Sequence, residues 1–211
     1  MLTQQDYNCI GVVAKHCDYD KLCIAERHAL ESDMENLYCD FWYEIKEYWD
    51  EVDAYDLAVL KCNGDQTCIN AIPLVVNYAE KKALIYGGAF ENCSGKTRTF
   101  EGIRNVLIYY SYARYIFINS VDDTPNGLVK KTNDFSIQLN DKELSKQADM
   151  YRSMGYDKFK KTEMYLCNKR ETFTDFNSKN CVGCGCSCDK CGGFTKNKGY
   201  GIRGGNITKK L

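Results

Sequence analysis

TRTFEGIRNVLIYYSYARYIFINS, residues 97–120, decides how the rest of the chain has to be arranged. Ile103, Val106, Leu107, Tyr110, Ala113 and Phe117 recur at the three-and-four spacing of one helical face, and Ile108, Tyr109, Tyr112, Tyr115 and Ile116 fill most of the remainder. Only a narrow arc with Arg104, Asn105, Ser111 and Arg114 is polar. Such a helix, about 20 residues and about 30 Å long, needs neighbours on several sides. Two sources of cover stay open: other segments of the same chain, or a second subunit. Tyrosine and arginine join a large contact area to a polar tip and are enriched at protein interfaces. On that ground Arg104, Tyr109, Tyr112, Arg114 and Tyr115 are the candidate subunit-interface residues.

The 211 residues carry a net charge of -1 and are 44% hydrophobic, which suits one core of moderate size or one core with an appendage. No apolar run approaches the ~20 residues of a membrane span, so no membrane partner is expected. The N-terminal MLTQQDYNCIGVV has no basic region ahead of a long apolar stretch, and secretion is not expected either. The 13 cysteines are then expected to be thiols or metal ligands, since a reducing compartment disfavours disulfides.

Outward from the central helix, the pattern predicts a mainly α chain. Asp18 to Leu30 reads as a short helix. Ser32 and Glu35 have the spacing of a capping box, ahead of Met34, Leu37, Tyr38, Phe41, Ile45, Tyr48 and Trp49 at helical spacing. A separate short helix is expected from Tyr55 to Lys61, stopped by Asn63-Gly64. Pro73 is expected early in a helix that ends at Gly87-Gly88. A small hairpin fits residues 89–100, with its turn at Cys93-Ser94-Gly95-Lys96. Residues 122–139 read as an extended connection with a strand near Leu128 to Thr132. Asn140 and Glu143 then cap a second long helix that runs to about Leu166. The division expected is a helical core over 1–166 and a Cys/Gly/Lys-rich appendage over 167–211.

Residue patterns that carry chemistry are few. Ser94-Gly95-Lys96-Thr97 resembles the end of a phosphate-binding loop, but Phe90 stands where that loop needs a glycine. His16 and His28 have no zinc-protease spacing, although Cys17, Cys23 and His28 are spaced to approach one another along one helix. No catalytic residue is identified, and no enzyme activity is expected. Metal-ligand character is concentrated in CVGCGCSCDKC, where Cys181, Cys184, Cys188 and Cys191 are candidate zinc ligands, with Cys186 or Cys167 as alternatives. Free thiols and oxidised thiols are the competing readings of that stretch. Lys196, Lys198, Arg203, Lys209 and Lys210 make the tail basic.

One face between residues 31 and 56 is strongly acidic, with Glu31, Asp33, Glu35, Asp40, Glu44, Glu47, Asp50, Glu51, Asp53 and Asp56. It is either a solvated helix face or a surface turned to a channel or a basic partner.

Three groups of residues have a familiar arrangement: Gly87-Gly88-Ala89-Phe90; Cys93, Gly95, Lys96, Thr97, Arg98, Phe100, Gly102 and Ile103; and Tyr109-Tyr110-Ser111-Tyr112-Ala113-Arg114-Tyr115. Together they resemble the neck ring proteins of crAss-like tailed bacteriophages. Thr124-Pro125, Gly127, Val129 and Lys131, ahead of the long helix with Tyr151, are similar too. The resemblance spans roughly residues 18–166. It implies a helical bundle of the phage head-tail connector type, a structural virion protein that forms a ring of twelve copies in the neck. Portal protein, other neck and tail rings and the passing genome DNA, bound without sequence specificity, would be its partners. Assembly would take place in the host cytoplasm. The resemblance implies no required cofactor. The alternative is a zinc-binding interaction or nucleic-acid-binding module acting through the Cys-rich tail.

Overall fold

Asp18, in extended conformation, accepts a hydrogen bond from Lys21 N (3.2 Å) and so caps the first helix, α1 (Tyr19–His28). In the computed structural model, which describes residues 2–10, 18–92, 95–124, 127–130 and 140–176, a 3₁₀ helix (Gln4–Ile10) precedes it. The capping box expected at Ser32 and Glu35 does not form. The chain stays wound through Ala29–Met34 as a π-helix and enters α2 (Glu35–Tyr38), so Ser32 sits inside a helix where no free terminal amides remain to be capped. The break comes instead at Cys39, whose φ is 54°.

α3 (Phe41–Lys61) is one helix where a long and a short one were expected. It stops as anticipated at Asn63 and Gly64, both at positive φ. A disulfide joins Cys62 to Cys68, which corrects the expectation of reduced thiols at these two positions. Between them Asp65 caps a short helix, α4 (Gln66–Asn70), accepting from Thr67 N (2.9 Å). Pro73 is not an early helical residue: it stands in irregular backbone, and α5 begins only at Tyr78 and runs to Tyr86.

β1 (Gly88–Glu91) and β2 (Thr97–Phe100) pair antiparallel, Gly88 opposite Phe100, and make the expected hairpin. α6 (Gly102–Asn119) follows at once. A second antiparallel pair, β3 (Val121–Thr124) and β4 (Gly127–Lys130), links it toward α7 (Asp141–Asn168). Here the capping box is real: Asn140 accepts from Glu143 N and Glu143 from Asn140 N, each at 2.9 Å.

α6 is the centre of the packing, against α7, α1 and α5. Ile103, Val106, Leu107, Ile108, Tyr110, Ala113 and Tyr115 are all buried there, so most of its cover comes from its own chain. Two glycines set how closely the layers approach. Gly102 has φ +75°, and a Cβ on it would lie 2.4 Å from both Gly87 N and Ile85 O. Gly155 lets α7 close on α6: its Cβ would lie 2.9 Å from the Tyr110 ring.

The core extends past the boundary expected at residue 166. Phe173 and Phe176 are buried, and their rings meet Phe41 edge-on at centroid distances of 6.4 and 5.3 Å. The change to polar composition after Cys167 hid two aromatic anchors that seal the bundle between α3 and the hairpin-side residue Tyr165. Among the described residues no helix is long and apolar enough to cross a membrane.

Candidate functional site

The five candidate interface residues all find partners inside the subunit. Arg104 Nη2 donates to Asp6 Oδ2 (2.7 Å), and its guanidinium lies 5.3 Å from the centre of the Tyr86 ring. Arg114 grips both carboxylate oxygens of Asp33, Nε at 2.5 Å and Nη2 at 3.0 Å. Tyr115 Oη accepts from Asp18 N (3.1 Å) and so fastens the start of α1 to α6. Tyr112 packs between Tyr115 and Tyr151, at 5.8 and 4.8 Å. Tyr109 has the Lys158 ammonium 4.8 Å from its ring centre. Each aromatic or guanidinium tip thus serves internal helix–helix contacts, and only part of each side chain faces outward.

The acidic face is divided by α5. Lys81 Nζ reaches Glu51 Oε2 (2.5 Å), Lys82 reaches Asp56 (2.9 Å), Tyr86 donates to Asp53 (2.5 Å) and Tyr78 to Asp56. These contacts hold the Asp56 carboxyl below its ordinary value against the opposing effect of burial. The Tyr86 phenol is pushed up to about 12 by burial and by the Asp53 carboxylate. Glu44 accepts from Tyr48 (2.9 Å), and Asp33 belongs to Arg114. Glu31, Glu47 and Asp50 remain exposed.

Two features were not anticipated. Val52 is the last buried residue of α3, and the turns beyond it carry Leu57 (53% exposed) and Leu60 (71%). Tyr78 is tied to Asp56, and the connection that leads into α5 carries two further exposed apolar residues, Leu74 (83%) and Val76 (74%). The second feature is a cleft of about 200 Å3 between α1 and α3, walled by Trp42 and Trp49. Those indoles are seven residues apart on one helix, with Lys46 and Asp53 at the intervening and following four-residue steps. That i, i+4, i+7, i+11 spacing was the available sequence signal for a shared face.

Cys181, Cys184, Cys186, Cys188 and Cys191, like the basic residues of the tail, lie outside the described residues, as does Cys17. Cys167 is disulfide-bonded, which removes it from the thiolate ligands. Cys23 is a half-buried free thiol on α1, and His28 is exposed.

The family model described as a family of unknown function, DUF6712, matches residues 69–185, more than half of the chain. The match runs from the end of α4 through α5, the hairpin, α6 and α7. No curated protein and no solved structure matches.

Proposed function

This chain belongs to DUF6712, a family of unknown function, and we propose that its role is structural: a virion subunit that forms a ring in a phage neck, between portal and tail, around a channel for DNA. The sequence resemblance over residues 18–166 supports the virion assignment. The observation that carries the assembly half is the bare apolar end of α3. Leu57 and Leu60 on its last turns, and Leu74 and Val76 on the connection that follows, are exposed apolar side chains that water does not favour, and a neighbouring copy would cover them. Head-to-tail contacts of that kind close into a ring when the rotation between copies completes a circle.

In this reading twelve copies match the portal, and other neck and tail rings dock above and below. The exposed acids of α3, Glu47 among them, line the passage and keep DNA from adhering, because like charge repels the phosphate backbone. No bound cofactor is needed, and assembly proceeds in the host cytoplasm.

The test is the native mass of the purified protein with and without a portal preparation. A ring mass, alone or on the portal, is expected, and Leu60→Lys with Leu74→Lys should return the protein to monomers. A monomer in both conditions overturns the reading. In assembled particles, Glu47→Lys should slow genome ejection.

A further inference from the structure

The cleft between α1 and α3 has the chemistry of a cation receptor, and this holds independently of the ring reading. Its lining includes Glu26, 5% exposed, whose Oε1 accepts from Leu2 N (3.0 Å). Asp50 and Asp53 add two more carboxylates to the lining. The ammonium of the one basic residue there, Lys46, is drawn aside to the face of Tyr43, 4.3 Å from the ring centre. Among the lining residues three carboxylates stand against one ammonium, with Arg104 acting on Glu26 from outside the lining, and two indoles complete the walls.

We propose that this cleft binds the side chain of an arginine presented by another polypeptide. Tryptophan offers the strongest aromatic face to a cation. A guanidinium is planar, stacks on such faces and donates in a fork to carboxylates, which an ammonium cannot do. Leu30 and Leu107 complete the lining and suit the aliphatic stem that an arginine buries behind its charged head. The volume accommodates one side chain, which is why a single residue of a partner is the occupant and not an extended segment.

Trp42 and Trp49 are the only tryptophans of the chain, so intrinsic fluorescence reports on this cleft alone. The full-length protein is titrated with N-acetyl-arginine amide, its lysine counterpart, its citrulline counterpart and free L-arginine. A saturable fluorescence change is expected with the arginine amide, weaker by about tenfold with lysine and absent with neutral citrulline. Glu26→Gln, which keeps an acceptor for Leu2 N, should abolish the change, and Asp50→Asn, at an exposed position, should weaken it several-fold. Equal responses to arginine and citrulline, or no saturation with the arginine amide, overturn the proposal. Tighter binding of free L-arginine than of its blocked amide would assign the cleft to a small molecule and overturn the polypeptide source.

Discussion

Arg114 and Asp33 form a two-pronged pair, Nε to Oδ2 at 2.5 Å and Nη2 to Oδ1 at 3.0 Å, that fixes the π-helical turn of residues 29–34 onto α6. Both side chains are largely shielded from water. A lysine keeps the charge at 114 but cannot supply the fork. Arg114→Lys is therefore expected to lower stability by about 1–2 kcal/mol. Urea unfolding of the single and double variants with Asp33→Ala should show strong non-additivity.

Gly155→Ala is expected to destabilise the protein although alanine is the better helix former. Exchange to alanine in an open helix would gain up to about 1 kcal/mol. Here the new methyl meets the Tyr110 ring at 2.9 Å and Tyr109 Cβ at 3.1 Å, and Tyr110 is buried. Overpacking of this kind costs about 1–3 kcal/mol, so the thermal midpoint should fall.

Glu163 should give the protein a stability that declines as pH rises. Its carboxyl is fully buried, with Oε2 on Lys160 Nζ (3.0 Å) and Oε1 without a hydrogen-bond partner among the described residues. Burial raises its pKa above the ordinary 4.5, and the Lys160 contact only partly opposes this. The folded state then holds the proton more tightly than the unfolded state. Its contribution is present below 4.5 and is lost as pH climbs through the raised value. Glu163→Gln removes that dependence, so its thermal midpoint relative to wild type should improve as pH climbs through that window. Asp6 and Asp56, with lowered values, act in the opposite sense and only below 3.8.

Phe173 and Phe176 are expected to be needed for folding. Phe173→Ala should lower stability by about 3–5 kcal/mol. A chain ended after residue 166 should melt well below one ended after residue 176, because only the longer one keeps Phe173 and Phe176. Circular dichroism melts of the two truncations separate these outcomes.

The elements that could be read from the sequence are those whose signal is local. The Asn140–Glu143 cap, the Gly87 stop and the periodicity of α6 each depend on a few adjacent residues, and all three stand as expected. The misread segments depend on distant partners. Ser32 and Glu35 have cap spacing, but tertiary contact from Arg114 to Asp33 holds that turn in the helix. A separate helix was expected from Tyr55, yet α3 runs on without a break, and Tyr86 and Lys82 of α5 hold its Asp53 and Asp56 from across the pair. Cys39 gives no glycine-like hint of its positive φ. For the site, the arginines and tyrosines of α6 were legible as important residues. Their use within the subunit was not, because residue type alone does not say which chain supplies the partner.

At Gly102 the backbones of α5 and α6 touch with no side chain as a cushion between them. The hairpin springs from that same seam, its two strands leaving from Gly88 and returning at Phe100. Any larger residue at Gly87 or Gly102 would consequently wedge this seam apart and displace the root of the hairpin along with the two helices.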